Sequence, residues 1–260
     1  MAASAIPMQR AGSFTPPGDL RSIWLIARRA ALESLHDRTT QGASAVFSLL
    51  VPIILVLTMI RPQAMHTGSK ADTALGLLMA VYLLVVGLLP TSNSISVASG
   101  LFAGEKEQGN LAPLLATPAS NRAIFGGKVL GAVLPSLLYA VVAVSTYLLE
   151  IALFVGTGKL HLLPLGLSLA MLALVPIYAV FGAAVASLIS SRVRTYQGAQ
   201  TLASVVMFPL MAVLFGVAFA MQHWGIWWLG IAVLVLVGID VLIVTLGAAT
   251  WRREEVLARR

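Results

Sequence analysis

A short polar segment at residues 102–118 interrupts an otherwise apolar chain and holds the side chains best placed to bind a partner. Glu105, Lys106 and Glu107 are three consecutive charges, and a glycine and a leucine-rich turn follow them. The 260-residue chain is 58% hydrophobic and only 10% charged, so a charge cluster this dense is expected outside a bilayer. There it is accessible to whatever approaches from the aqueous side.

The rest of this segment predicts two short elements joined at Gly109. Thr117 followed by Pro118 has the capping hydroxyl and first-turn proline of a helix start, where the third apolar run would begin. A short helix lying parallel to the membrane would present the leucines of the turn on one side and polar groups on the other. These leucines are Leu111, Leu114 and Leu115. Such a helix suits docking into a groove on a cytosolic partner.

Two acids inside apolar runs are candidates for a translocation path. Asp240 lies well inside the last run, and Glu150 lies near the outer end of the third. Intramembrane acids are costly, so they usually mark a pathway or a hydrogen-bonded structural site. An interfacial carboxylate also explains Glu150, and structural hydrogen bonding also explains Asp240. Asp240 is expected to face a polar cavity or the interior of a dimer.

Catalytic motifs are incomplete. Gly126, Gly127 and Lys128 are similar to the end of a phosphate-binding loop, but Arg122 replaces the earlier glycine and Val129 the magnesium-binding hydroxyl. We therefore interpret Gly127 as a helix-packing residue, with Gly131, and Lys128 as a lysine that snorkels to the interface.

Other enzyme chemistry is no better supported. The chain has no cysteine, hence no thiol chemistry, and Ser168 lacks both the following glycine and the base of an intramembrane protease. One histidine falls in each external loop, which interfacial polarity explains as well as a shared metal site would; these are His66, His161 and His223. We expect no catalytic residue, bound cofactor or metal in this chain.

Hydropathy predicts an all-α membrane protein with six transmembrane helices. Mean hydropathy is +0.92, and several apolar runs exceed the length of a bilayer-spanning helix. The predicted spans are residues 43–60, 74–99, 124–151, 162–189, 198–221 and 226–250. Before them, residues 1–19 are expected to be a flexible tail. Residues 20–38 have the helical apolar spacing of an interfacial helix, with Asp19 as its cap, so the membrane domain is expected over 20–260.

The basic residues predict the orientation. With six spans both termini lie on one side, and 14 of the 17 Lys and Arg fall on that side, together with the polar segment. The other three are Arg61, Lys70 and Lys159. The positive-inside rule therefore predicts cytoplasmic termini. A basic rim facing anionic lipids explains the sequence pI of about 10.3 without nucleic-acid binding.

Several motifs together resemble the membrane subunit of type-2 ABC transporters, particularly the NatB-like sodium-efflux and multidrug permeases. The family pattern is E-x-E-x-G-T-L-x-x-L-L-x-T-P followed by Gly-Lys, and the interfacial helix before the first span also matches. Here the pattern is carried by Glu105, Lys106, Glu107, Gln108, Gly109, Asn110, Leu111, Leu114, Leu115, Thr117, Pro118, Gly127 and Lys128. Asn110 stands where the family usually has threonine, and Ala112 where an acid is common.

The resemblance implies an exporter subunit of the cell (inner) membrane that works by alternating access. It implies that two permease copies pair, and that the segment between spans two and three forms a coupling helix. A separate cytosolic ATPase, holding ATP and magnesium, would dock there. A secondary transporter or channel not coupled to ATP is the alternative, but the chain shows no clear inverted repeat and only one deep acid.

Overall fold

The computed structural model describes residues 18–66, 68–107, 119–193, 195–224 and 226–250. Throughout these ranges every regular element is helical. The predicted tail at residues 1–17 and most of the polar segment, residues 108–118, lie outside the described residues.

The described chain contains six helices that are long and apolar enough to cross a membrane, so the prediction of six spans in an all-α fold is confirmed. We call them spans one to six. In order, they are Gln41–Ala64, Ser69–Gly104, Asn121–Leu162, Leu165–Arg192, Tyr196–Gly216 and Gly230–Ala249. The helix of span five continues to Trp224, and the helix that contains span six is Ile226–Thr250. A separate N-terminal helix, Asp19–His36, precedes them.

Span two is interrupted at Ser92, two residues after Pro90, and ends in a π-helical turn. Its first helix is Ser69–Thr91, a second is Asn93–Ser99, and a π-helical turn follows at Gly100–Gly104. Proline removes one backbone donor, and here two hydroxyls donate to nearby carbonyls: Thr91 to Leu88 at 2.7 Å and Ser92 to Leu89 at 2.6 Å. A helical path of 36 residues is roughly 54 Å long, well beyond the ~30 Å of a hydrocarbon core. Span two therefore extends out of the apolar layer.

Span three begins at Asn121, three residues before its predicted start at 124, and ends in a π-helical turn and a 3₁₀ turn. Its first helix is Asn121–Glu150, and the Ser120 hydroxyl accepts a hydrogen bond from the Ala123 amide at 3.1 Å. Ser120, not Thr117, therefore caps this helix. At the other end the chain passes through a π-helical turn, Ile151–Gly156, and a 3₁₀ turn, Thr157–Leu162. Between these two turns Gly156 has a φ of 111°, a conformation that favours glycine.

The N-terminal helix packs its small residues against span three. Gly127 and Gly131 are one helical turn apart, and an added Cβ on them would lie 2.8 Å from Ile26 and 2.6 Å from Ala30. The close-packing role predicted for these glycines is confirmed, and their partner is the N-terminal helix. Gly18 precedes this helix as its N-cap and Asp19 is its first residue, so the expected Asp19 cap is wrong. Leu20 and Trp24 stay exposed on its other face.

Two buried clusters hold the spans together. The larger one joins spans two, three and four and extends to spans five and six through residues such as Met207 and Ala248. The smaller one joins span one to spans two and three, and in it the buried Tyr147 hydroxyl donates to the Met79 carbonyl at 3.0 Å. Spans two, three and four thus pack together, and the charged residues Glu105–Glu107 follow directly at the end of span two.

Candidate functional site

A buried lysine joins the end of span two to the beginning of span three. The Lys128 ammonium lies 2.5 Å from the Glu105 carboxylate, and the Lys128 side chain is only 3% exposed. The ammonium also donates a hydrogen bond to the Leu101 carbonyl and lies 4.7 Å from the centre of the Phe102 ring. We call these residues, with Phe125, the charged junction.

The local backbone explains why a carbonyl is available there. Leu101 is the second residue of the π-helical turn Gly100–Gly104, and a π turn breaks the regular hydrogen-bond ladder of the α-helix. The Leu101 carbonyl is therefore free to accept a hydrogen bond from the Lys128 ammonium. The ammonium thereby gains a carboxylate, a carbonyl and an aromatic face, which together offset its removal from water.

Two aromatic rings extend the junction to span six. Phe102 and Phe125 pack with ring centres 5.6 Å apart, and Phe125 is fully buried. A Cβ added to Gly247 of span six would overlap the Phe125 ring, so this glycine permits the close approach. Displacement of Glu105 or Lys128 would therefore act on spans two, three and six together.

Glu107 connects the same segment to span five. Its carboxylate accepts a hydrogen bond from the backbone amide of Tyr196 at 3.2 Å, at the first residue of the helix of span five. The Tyr196 hydroxyl is in turn 2.6 Å from the Ser96 hydroxyl of span two. A carboxylate at a helix N-terminus satisfies a free N–H group and complements the helix dipole.

A groove of about 370 Å³ opens beside Glu107. Its walls come from the end of the N-terminal helix, the π-helical turn of span two and the beginning of span five. The lining residues are Ser34, Asp37, Ser96, Val97, Gly100, Leu101, Gly104, Glu107 and Tyr196. The groove therefore includes Glu107, the last described residue before segment 108–118.

The predicted coupling residues divide into two groups. The structure places Glu105, Lys106 and Glu107 in one helical turn, of which the side chains of Glu105 and Glu107 are described. Eight predicted residues lie outside the described ranges: Gln108, Gly109, Asn110, Leu111, Leu114, Leu115, Thr117 and Pro118. The expectation that Lys128 snorkels is wrong, because its ammonium is buried and paired with Glu105.

Sequence reasoning missed the pairing of Lys128. A lysine seven residues past the Asn121 helix start, beside two glycines, was a signal that a counter-charge lies near. The contacts of Tyr196 with Glu107 and Ser96 could not be predicted from the sequence, because they depend on where the start of span five lies relative to span two.

The two candidate pathway acids are both buried. Asp240 is 6% exposed and Glu150 is 5% exposed. Both Glu150 oxygens and the Asp240 Oδ1 lack a hydrogen-bond partner among the described residues. A pathway role and an interfacial position both stay predictions for Glu150. Asp240 lines a groove between spans four and six that is apolar, not the polar cavity expected for it.

No group of three or more His, Asp or Glu suited to a metal ion is present in the described ranges. No arrangement of a nucleophile with a base is evident in the charged junction either. The charged junction instead connects two helices, because groups at the end of span two surround the buried Lys128 ammonium of span three.

Comparison with protein families gives a match over most of the chain. A model of the ABC-2 type transporter family matches residues 21–242, which include the N-terminal helix, the charged junction and Asp240. No curated protein matches the chain.

Proposed function

Because this chain belongs to the ABC-2 type transporter family, we propose that it is the permease subunit of an ATP-driven exporter. A separate cytosolic ATPase subunit, which binds ATP and magnesium, supplies the energy. The permease works as a pair of copies in the inner membrane and moves its substrate by alternating access between the two faces.

The observation that carries this proposal is the charged junction. Glu105 stands at the entrance to segment 108–118, and its carboxylate is bound to the buried Lys128 ammonium of span three at 2.5 Å. A buried charged hydrogen bond is directional and costly to break, so it transmits displacement better than a flexible loop would. Movement of the segment is therefore passed to spans two and three.

Glu107 supplies a second connection, to span five. Its Oε2 accepts from the Tyr196 amide, while the side chain is exposed and keeps acceptor capacity for a partner. A docked ATPase subunit that contacts Glu107 thus acts on the beginning of span five. The groove beside Glu107 provides a concave surface for a projecting element of that subunit.

The remaining coupling contacts belong to the undescribed residues. We propose Leu111, Leu114 and Leu115 as apolar contacts with the ATPase, and Lys106, Gln108 and Asn110 as polar ones. Gly109, Thr117 and Pro118 complete the set of coupling residues that the sequence indicates. In this arrangement the ATPase binds the leucine side chains and also contacts the charged side chains.

The experiment begins with affinity purification of the full chain from its own cells. We expect co-purification of a protein with phosphate-binding-loop sequences and magnesium-dependent ATP hydrolysis by the purified complex. A permease that transports its substrate without any such subunit would contradict the proposal and favour a secondary transporter or channel.

A variant pair then tests the coupling segment. Glu107→Ala removes a charged hydrogen-bond acceptor, which is worth about 1.5–3 kcal/mol, so recovery of the ATPase should fall about tenfold or more. Asp19→Ala removes another exposed acid, on the N-terminal helix, and should leave recovery unchanged. Equal recovery with both variants would show that Glu107 takes no part in docking.

A further inference from the structure

The N-terminal helix, Asp19–His36, has a face that is both apolar and basic and that no described residue covers. Leu20 and Trp24 are 83% and 57% exposed, and Leu25 is half exposed. The buried residues of this helix are all small: Ser22, Ala27, Ala30 and Ala31. Large apolar side chains that stay exposed on a helix leading into a membrane span need apolar surroundings from outside the chain.

The three arginines of this helix differ in what they bind. Arg29 donates a hydrogen bond to the Glu33 carboxylate at 2.8 Å, one helical turn further along. Arg21 and Arg28 are exposed, and neither forms an ion pair within the described ranges of the chain. Two guanidinium groups on this face are therefore available to an anion from outside the described chain.

The two available arginines lie on one stripe of the helix, with a tryptophan between them. Arg21 and Arg28 are seven residues apart, which is two helical turns or about 10.5 Å along the axis. Trp24 comes three residues after the first and four before the second, so all three side chains share this stripe. Tryptophan favours the headgroup depth of a bilayer, where lipid phosphates also lie.

A phospholipid matches both the charge and the apolar character of this face. The helix ends at His36 and span one begins at Gln41, so the short connection keeps the helix beside the bilayer. Arginine forms paired, charge-assisted hydrogen bonds with phosphate oxygens. In a zwitterionic headgroup the lipid's own ammonium competes for that phosphate, whereas an anionic headgroup keeps a net negative charge for the arginines.

We propose that Arg21 and Arg28 form a binding site for anionic phospholipid headgroups. Each guanidinium donates to phosphate oxygens, and the exposed apolar side chains beside them contact the upper part of the acyl chains. The other face of the helix packs on Gly127 and Gly131, which flank Lys128 of the charged junction in sequence. Bound lipid therefore holds the helix against span three beside this junction. The site needs no ATPase, so it does not depend on the proposed function.

Fluorescence quenching by spin-labelled lipids tests the site in the full chain. Because the native chain has no cysteine, Leu32→Cys accepts a single fluorophore at an exposed position one turn after Arg28. The labelled chain is placed in phosphatidylcholine nanodiscs with increasing fractions of phosphatidylglycerol or phosphatidylcholine that has a nitroxide near the headgroup end of one acyl chain. Each arginine near an anionic surface contributes about fivefold, so the phosphatidylglycerol should quench at a fraction about twenty-fivefold lower. Equal quenching by both lipids, or quenching by neither, would overturn the proposal.

Single variants that each remove one positive charge locate the site. Arg28→Gln should lower the preference for phosphatidylglycerol about fivefold, and Arg21→Gln should do the same two turns earlier. Arg29→Gln is the matched control, because it removes the neighbouring charge that Glu33 already binds, and it should leave the preference unchanged. Equal losses in all three variants would mean that the lipid is attracted to the basic surface as a whole, and would refute the site, as would an unchanged preference in Arg21→Gln and Arg28→Gln.

The cytosolic ATPase proposed above is the competing occupant of this face. The quenching measurement is therefore repeated on the complex that co-purifies with the chain. A preference for phosphatidylglycerol that persists in the complex supports the lipid site, whereas loss of quenching by both lipids would show that a protein covers the helix and would overturn the proposal. Lipid preference without any associated ATPase removes the proposed function and leaves the lipid site, so the two proposals fail separately.

Discussion

Lys128 is a buried cation whose stability depends on a carboxylate that is itself only partly buried. The Glu105 side chain is 28% exposed, against 3% for Lys128. Removing either partner therefore has unequal consequences. Glu105 left alone can turn to water, whereas Lys128 left alone keeps only the Leu101 carbonyl and the Phe102 ring.

Glu105→Gln is therefore expected to destabilise the protein more than Lys128→Met. Breaking a buried ion pair by removing one partner costs about 3–5 kcal/mol, and Glu105→Gln strands the buried charge. Lys128→Met replaces that charge with an apolar side chain of similar length. Thermal unfolding of the purified variants in nanodiscs, followed by tryptophan fluorescence, measures the difference.

The double variant Glu105→Gln with Lys128→Met completes the cycle. Because no buried charge remains, it should recover part of the stability lost in Glu105→Gln. An unfolding temperature of Glu105→Gln equal to that of the unmodified chain would contradict the buried pair.

The sequence predicted that Glu105 matters but not what it binds. Glu105 was identified because it is a charged residue in an otherwise apolar chain. The partner lies 23 positions away across a loop, and only the approach of two helices brings them together. Asp240 was likewise identified by its charge, while the apolar character of its groove depends on the facing residues of span four.

At the scale of helices, the contact between the N-terminal helix and span three depends on glycines, which have no side chain to separate the two helices. Gly127 faces Ile26, and its neighbour Gly126 faces open space, with nothing within 4 Å of an added Cβ. The two glycines lie in the same turn of one helix, so their backbone preferences are alike. They differ only in what an added methyl group would meet.

Gly127→Ala and Gly126→Ala should thus have effects of opposite sign. Alanine at either position gains up to about 1 kcal/mol of helix propensity. At Gly127 the methyl group would lie 2.8 Å from Ile26, and overpacking costs about 1–3 kcal/mol. Gly126→Ala should raise the unfolding temperature and Gly127→Ala should lower it. Two stabilised variants would mean that the helices do not pack as closely as described.

Hydropathy predicted where the spans lie but not how they end or break. Apolar runs determine the spans because lipid tolerates few other sequences. Pro52, Pro135, Pro176 and Pro209 lie within continuous helices. The helix of span two instead ends just after Pro90, where Thr91 and Ser92 bind the nearby carbonyls. Residues 152–161, which lay between two predicted spans, form π-helical and 3₁₀ turns that continue span three.

The molecule as a whole is asymmetric in charge and in structure. Glu105, Glu107 and Lys128 meet at the ends of spans two and three and the beginning of span five. Lys159 pairs with Asp72 at 2.8 Å, where span two begins and span three ends, at the opposite ends of those helices. The charged junction therefore belongs to the face that carries most of the basic residues.

We predict that this face is cytoplasmic. Fourteen of the 17 Lys and Arg lie on the side of the termini, and such an excess sets the orientation of multi-span proteins. Gln108→Cys and His66→Cys place single thiols at positions predicted to lie on opposite sides of the membrane, in a chain without native cysteine. With an impermeant maleimide, His66→Cys should react in intact cells and Gln108→Cys only after permeabilisation. The reverse result would put segment 108–118 outside the cell, away from any cytosolic ATPase, and would contradict both the orientation and the proposed coupling.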